Sequence, residues 1–381
     1  MSRRISLFYI MDHFQGTGGT ERHLTYLVEH LPREQFHCTI AVMDLAPNRW
    51  VDRIRAAGIR VIHVPVLREY APSALLRAFE LSKLIRANDA DIVQTFQQKS
   101  DTYGAAIARL SGIKHLISSK RDTGELKKGR HHLANRLLAG LFERVIVVAD
   151  SVGEVVVAKE GIPRSRIVRI YNGVDTARFA PPTPQQRTAA RARLGFTEAE
   201  FVVGMIARFR PEKGHDILLR GALSAAAEIR SVRVLAVGGG PRLEDLRASY
   251  RGEIEQQRIQ LLDDATDVTA YLHAMDVGCL LPTANEGFSN SVLEKMAAGL
   301  PLIVSDVGGN AEAVLDGENG LVIPPGDAAA LRRALVLLHA DPARRQEMGR
   351  RSRQLAEDRF GLQRMCREHA ALYASLMGSA V

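Results

Sequence analysis

Asn285-Glu-Gly-Phe-Ser-Asn-Ser-Val-Leu-Glu-Lys-Met-Ala-Ala-Gly299 carries two carboxylates, Glu286 and Glu294, with seven residues between them. The apolar run Val277 to Leu281 before it reads as a buried strand, and Val292, Met296 and Leu300 after it follow helical spacing. Glu286 therefore belongs to a strand-to-helix loop and Glu294 to the helix itself. Gly287, Phe288, Ser289 and Asn290, at the start of that helix, would offer unpaired backbone N–H groups at the positive end of the macrodipole, where an anion such as phosphate binds. Two acids beside such a place suit a hydroxyl-rich ligand, because carboxylates accept from hydroxyls while the dipole holds phosphate. A plainer reading stays open: Ser291-Val-Leu-Glu294 also fits a capping box, with Glu294 reaching back to the cap.

These residues carry a resemblance. Glu286 and Glu294, preceded by Pro282-Thr283 and followed by Ala298-Gly-Leu-Pro-Leu-Ile-Val-Ser-Asp-Val-Gly-Gly309, resemble the Glu-x7-Glu region of the family 4 retaining glycosyltransferases of GT-B architecture. The resemblance implies that Glu286 binds hydroxyls of a donor sugar and Glu294 those of a ribose.

Outward from this stretch, the chain of 381 residues, 46% hydrophobic and 25% charged, is long enough for two globular domains. No apolar run approaches the roughly 18 residues of a membrane span. Met1-Ser-Arg-Arg and the run from Ile5 could mimic a secretory signal, but Asp12 and His13 cut it short. Cys38, Cys279 and Cys366 are scattered, forming neither a disulfide framework nor a metal cluster, and fit a reducing compartment. The net charge of +8 is uneven: residues 1–175 hold 26 Lys+Arg against 18 Asp+Glu, and the remainder holds 25 against 25. Arg109, Lys114, Lys120, Arg121, Lys127, Lys128, Arg130 and Arg136 crowd together with His115, His131 and His132, a patch suited to an anionic membrane face, a lipid pyrophosphate or simply solvent. Nucleic acid is not expected, since no binding motif accompanies the charge.

The first half alternates strand and helix as a parallel sheet does. Strands are expected at residues 5–11, 37–43, 60–66, 91–96, 115–119, 145–149 and 167–171. After the first comes Gln15-Gly-Thr-Gly-Gly-Thr-Glu-Arg22, where glycines let backbone approach a ligand closely. Glu21 stands where a dinucleotide fingerprint needs glycine, which removes a dehydrogenase. Gly18, Gly19 and Glu21 resemble the glycine loop of the same glycosyltransferases, which implies contact with donor sugar and phosphates. Asp89-Ala-Asp91 spells a metal-binding pattern but precedes a strand rather than following one, and no metal is expected to be required. Many members of the family have histidine where Gln94 or Phe96 stands, which leaves the acceptor side open. Arg121 is the candidate for a polar group there.

Tyr171-Asn-Gly-Val-Asp175 resembles the junction phrase of the family, and the proline-rich stretch after it reads as a connector with a basic helix behind it. The second half restarts with a strand at 201–207, then Arg208-Phe-Arg-Pro-Glu-Lys-Gly214. Pro211 suits a first helical position and places Lys213 in the first turn, where a cation opposes the macrodipole. That placement makes sense where Arg208, as a fork, and Lys213, as a point charge, neutralise a bound diphosphate; the resemblance implies the same grip. Further strands are expected at 233–237, 259–262, 277–281 and 302–305. Gly238-Gly-Gly-Pro241 is expected to lie close to the nucleotide, and Asp263-Asp-Ala-Thr-Asp267 lacks a glycine usual in the family.

The expectation is an α/β chain of GT-B architecture: two Rossmann-like domains facing across an interdomain cleft, with the C-terminal helix crossing back to the N-terminal domain. Residues 1–176 would form the acceptor-side domain, 177–200 the linker, 201–360 the donor domain and 361–381 the returning helix. The expected activity moves a hexosyl unit from a UDP- or GDP-sugar to a hydroxyl of a lipid-linked or cell-envelope glycan. No cofactor besides the donor is expected, and Arg208, Lys213 and Glu286 are the candidate catalytic residues. A GT-B epimerase or hydrolase and a non-catalytic binding protein stay open as alternatives. A cytoplasmic monomer or weak dimer, peripheral to the inner membrane face, is expected.

Overall fold

The computed structural model describes residues 3–16, 18–66, 69, 71–124, 129–263 and 267–378. It divides into two compact units, Met1–Gly173 together with Leu362–Val381, and Val174–Gly361. In the first, strands β1 (Ile5–Phe14), β2 (Phe36–Leu45), β3 (Arg60–His63), β4 (Ile92–Thr95), β5 (His115–Lys120), β6 (Arg144–Val147) and β7 (Ile167–Arg169) form one parallel sheet in the order β3-β2-β1-β4-β5-β6-β7. In the second, β8 (Phe201–Ile206), β9 (Val232–Val237), β10 (Ile259–Leu262), β11 (Val277–Leu280), β12 (Leu302–Ser305) and β13 (Gly320–Ile323) form another, ordered β10-β9-β8-β11-β12-β13. The interior strands read as unbroken apolar runs because helices cover both faces of a parallel sheet.

The helices are α1 (Gly19–His30), α2 (Arg49–Ala56), α3 (Pro72–Ala87), α4 (Ala105–Leu110), α5 (Gly129–Leu138), α6 (Asp150–Val155), α7 (Pro184–Arg193) and α8 (His215–Ala225). They continue with α9 (Leu243–Ser249), α10 (Arg251–Glu255), α11 (Thr269–Ala274), α12 (Asn290–Ala297), α13 (Asn310–Ala313), α14 (Ala328–Ala340), α15 (Pro342–Phe360) and α16 (Leu362–Leu376). In each sheet the order reverses once, between β1 and β4 and between β8 and β11. Open α/β sheets bind ligands outside the carboxyl ends of the strands at such a switch point.

The two directions of travel also sort the helices. Parallel crossovers are right-handed, so connections running one way along a sheet and connections running the other way cover opposite faces. In the first unit α1 and α2 thus share one face, while α3, α4, α5 and α6 share the other. The C-terminal helix α16 joins α1, burying Leu362, Met365, Cys366, His369, Ala370 and Tyr373 at helical spacing. Tyr373 donates to Gln94 Oε1 at 2.6 Å, and Gly173 lies against Leu362 and Met365 so closely that a side chain there would clash.

Residues 177–200, read as a linker with a basic helix behind its prolines, carry that helix as α7, whose amino end is closed by a capping box of Thr183 and Gln186. Arg187 and Arg191 of this helix bind Asp276 at 2.7 and 2.6 Å, which anchors the stretch in the second unit. The basic patch is not one surface. Lys120 is buried between Asp101 and Glu160, at 2.8 and 2.7 Å, and Arg109 turns inward to the carbonyls of Leu141, Ile113 and Lys114. Lys114, Arg130 and Arg136 stay exposed, and Lys127 and Lys128 lie outside the described residues. Strand β13 was not anticipated.

Candidate functional site

Strands β8 and β11 are neighbours, and the loops that leave their carboxyl ends carry the acids and cations singled out in the sequence. After β8 the chain makes a single 3₁₀ turn, Pro211–Lys213, and then α8 begins at His215. The separation is enforced by Gly214, which has φ +77°, and any Cβ there would collide with the Leu281 carbonyl at the end of β11. Lys213 therefore does not occupy the first turn of α8, and its placement owes nothing to opposition with that helix dipole. The turn instead swings it toward the β11 loop, where Thr283 N donates to Glu212 O at 2.9 Å. Lys213 Nζ donates to Glu286 Oε2 at 2.8 Å.

The loop bearing Glu286 is held from the other side by a second glycine turn. Gly308, at φ +60°, lets the backbone of Glu286 and Gly287 approach where a Cβ would clash, and Gly309 N donates to Gly287 O at 2.7 Å. Glu286 is thus buried to 9% exposure with its carboxylate fixed on Lys213, and the ammonium, which has three donors, retains capacity for a further acceptor. Arg208 is exposed two residues beyond β8. Gly238 follows β9, and the glycine loop is sewn to the β8 loop by Phe209 N to Gly239 O at 3.0 Å and Arg242 N to Phe209 O at 3.1 Å. His215 stacks on Phe209 with ring centroids 4.2 Å apart, and burial lowers its pKa to about 3, so a neutral ring supports the loop.

Helix α12 starts at Asn290 with Ser289 as its cap, the Ser289 Oγ accepting from Val292 N at 3.4 Å. The capping box on Ser291 is not formed. Ser291 lies within the helix and donates to the Ile206 carbonyl at 2.6 Å, so Glu294 is one turn inside, buried, as the strand-to-helix reading anticipates. Gly287 and Phe288 precede the cap, with Phe288 packed on Phe360.

Sequence reasoning missed Lys295. It is fully buried across Gly278 of β11, with Nζ donating to Ser291 Oγ at 2.5 Å. Burial lowers its pKa to about 8, against the opposing pull of Glu294, Cys279 and Glu286. In an amphipathic pattern a lysine beside Met296 reads as solvent-facing, so only a glycine opposite it, Gly278, could have hinted at the space.

In the first unit Gly18 caps α1, and Glu21 ties the loop by accepting from Gln15 N at 2.7 Å and Gly18 N at 3.0 Å. Gly19 opens the helix. Arg121 follows β5; it donates to Asn172 Oδ1, its Nη1 has no hydrogen-bond partner among the described residues, and burial lowers its pKa to about 9. Its charge is felt by His23 of α1 and His369 of α16, whose rings lie 5.3 Å apart. Gln94 and Phe96 are both buried, the first committed to Tyr373 and the second packed on Tyr9 and His23. Asp91 is bonded to Arg3 and to Ser6 N, a structural tie at the base of the sheet. No group of three or more potential ligands for a metal ion occurs among the described residues.

Two doubly wound parallel sheets, the second with an acid–base pair at its switch point, are the build of a GT-B architecture. Comparison with known proteins agrees. Residues 17–178 match the model of Glycosyltransferase Family 4 and residues 200–341 that of Glycosyl transferases group 1. The chain belongs to the family 4, group 1 glycosyltransferases. It is 28% identical over 355 residues to a GDP-mannose-dependent alpha-(1-6)-phosphatidylinositol monomannoside mannosyltransferase of Mycolicibacterium smegmatis, covering 90% of this chain and 91% of that one. It is 27% identical over 338 residues to the UDP-Gal:alpha-D-GlcNAc-diphosphoundecaprenol alpha-1,3-galactosyltransferase of Escherichia coli, 85% of each chain. Among solved structures, Anabaena HepE in complex with UDP and glucose superimposes with a TM-score of 0.82 at 21% identity, over 98% of this chain and 100% of that one.

Proposed function

We propose that this hexosyltransferase moves a sugar from a UDP- or GDP-sugar to a hydroxyl of a lipid-linked or cell-envelope glycan, with retention of anomeric configuration. The observation that carries the site assignment is the Lys213–Glu286 pair at the β8/β11 switch point, beside the start of α12. Arg208 and Lys213 take the diphosphate, helped by the backbone N–H groups of Gly287, Phe288, Ser289 and Asn290 at the helix start. Glu286 accepts from hydroxyls of the sugar and Glu294 from those of the ribose, while Gly238, Gly18 and Gly19 admit close backbone approach. The bond from the anomeric carbon to the diphosphate oxygen breaks, the acceptor oxygen bonds to that carbon, and its proton passes to the departing phosphate. The cations lower the barrier by stabilising charge as it grows on that phosphate. No metal is needed in this scheme, so a chelator leaves the rate unchanged. Arg121 serves the acceptor side in the first unit. The enzyme works at the cytoplasmic membrane face, where such acceptors lie.

A panel of UDP-, GDP- and ADP-sugars read by thermal shift tests the donor assignment, since a ligand that binds the folded state alone raises its apparent stability. A rise with one nucleotide, lost in Arg208→Ala, is expected. Equal shifts for all nucleotides in both proteins would remove the assignment.

A further inference from the structure

Of the large apolar side chains exposed among the described residues, all but Leu337 lie in the first unit: Leu75, Leu76, Phe79, Leu110, Leu133 and Leu137, each 59–81% exposed. They belong to α3, α4 and α5, which crossover handedness places on one face of the sheet. The three helices are also joined directly. Ser111, just after α4, donates to Ser82 of α3 at 2.8 Å, Arg86 of α3 reaches the Leu110 carbonyl, and Gln98 binds Asn135 of α5 at 2.8 Å. On α3, Leu75 and Phe79 are four residues apart with Leu76 between, and Leu133 and Leu137 repeat that spacing on α5, so each helix shows solvent an apolar stripe. Single exposed leucines are ordinary; their confinement to one face is not.

The charge on the same helices has one sign. They contain Arg77, Lys83, Arg86, Arg109, Arg130 and Arg136 against a single carboxylate, Glu80, which is paired with Arg77 at 2.6 Å. On the opposite face α1, α2 and α16 mix the signs, with Arg22, Arg49, Arg53, Arg55, Arg364 and Arg367 against Glu21, Glu29, Asp52 and Glu368, while α6, beyond α5, adds Asp150 and Glu154, which are paired with Arg169 and Arg164. Apolar stripes interleaved with cations are what a helix shows when it lies in the headgroup layer of an anionic bilayer. They do not suit self-association, because a two-fold contact through this face would oppose the same cations. No helix among the described residues is long and apolar enough to cross a membrane.

We propose that the α3–α4–α5 face docks the first unit on an anionic lipid bilayer, with Leu75, Leu76 and Phe79 entering the headgroup boundary and Lys83, Arg86, Arg130 and Arg136 facing lipid phosphates. The inference deepens the reading of the acceptor as lipid-linked and rests on it for its purpose. It also replaces the basic cluster expected from the sequence, much of which is turned inward, by an apolar surface ringed with charge. The amino end of α3 sits at the carboxyl edge of the strands, because a crossover helix runs antiparallel to them, so the stripe borders the edge where ligands bind.

The test is co-sedimentation of the full chain with phosphatidylglycerol–phosphatidylcholine vesicles and with pure phosphatidylcholine vesicles, at low and high salt. Binding to the anionic vesicles that weakens with salt is expected, with Leu76→Glu/Phe79→Glu and Lys83→Glu/Arg86→Glu each lowering the partition about tenfold or more. Both positions pairs are solvent-facing, and circular dichroism with an unchanged nucleotide-diphosphate thermal shift verifies the fold. Wild type left in the supernatant, or variants that bind as it does, would overturn the proposal. So would a wild-type dimer in sedimentation velocity that Leu76→Glu/Phe79→Glu dissolves, which would assign the face to a second copy. Vesicle binding intact with no thermal shift from any nucleotide sugar would uphold the docking face and strike the donor assignment alone.

Discussion

The two units spend their buried charge differently. In the second, apart from the structural pair of Arg191 with Asp276 at the amino end of β11, ionisable groups gather at the carboxyl edge of one strand pair: Lys213 and Glu286 on the loops, with Glu294 and Lys295 just behind them on α12. In the first, the most deeply buried ion pair is Lys120 with Asp101 and Glu160. Each of those carboxylates comes from a wide π-helical turn, Ser100–Gly104 and Val156–Glu160, an uncommon geometry. Burial acts to lower the Lys120 pKa, yet Asp101 and Glu160 outweigh it and hold the ammonium charged. Thr95 and Ser118 also donate to Asp101, and Asn135 to Glu160, so the network is closed on itself. A closed network fixes a fold, whereas a pair at a loop edge with donors to spare can meet a ligand.

That contrast is open to attack, beginning with the strongest effect. Lys120→Met leaves two carboxylates buried without their cation and should destabilise the protein by about 3–5 kcal/mol in urea unfolding; a near-neutral result would mean that the network contributes no specificity to the first unit. Next comes pH. Burial lowers the pKa of His23 well below its usual value and that of His369 to about 4, with Arg121 acting in the same direction at both, the His369 ring adding to it at His23 and the Met365 carbonyl opposing at His369. Because these folded-state values lie below the unfolded one near 6.5, the unfolded chain binds the protons first. Stability is therefore full above pH 6.5 and declines as pH falls toward 4, by about 2 kcal/mol at pH 5 for His369, with His23 acting in the same direction. Chemical denaturation at pH 7.5 and 5 measures this, and His369→Leu should flatten the dependence; an equal slope in the variant would place the proton uptake elsewhere.

At the edge of the second unit the balance should invert. Lys213→Ala and Glu286→Ala are each expected to lower turnover at least tenfold, about 1.4 kcal/mol of barrier, with little change in the unfolding midpoint. Wild-type rates in both would remove their roles. The smallest effect concerns Lys295: methionine has a similar length and no charge to bury, so Lys295→Met should raise the melting temperature of the second unit by on the order of 2–4 °C. Calorimetry showing a drop instead would make the ammonium a net structural asset.

Most of the strands were legible because parallel strands are written as apolar runs, such as Leu7 to Met11 and Phe201 to Ile206. Strand β13 escaped because it is a four-residue edge strand with two residues only half-buried, following the turn at Asp316-Gly317. The acids of the second unit were legible through spacing, since loop and helix offsets are local. Their partners were not. The Lys213–Glu286 bond spans 73 residues, and the break at Gly214 depends on a carbonyl of another strand. Lys120 and Arg109 look like surface charge in the chain because composition says nothing about which carboxylates or carbonyls wait across the sheet.

The return of α16 carries a consequence for how the molecule is made. Val174–Gly361 is one uninterrupted length of chain, whereas the first unit needs residues on either side of it, down to Tyr373 meeting Gln94. Domains fold as units while synthesis proceeds from the amino end. The part encoded later can thus mature earlier, and the amino-terminal sheet must wait on the ribosome, its α1 flank bare, until the final helix emerges to close it. Aggregation during expression should accordingly track truncations of that last helix.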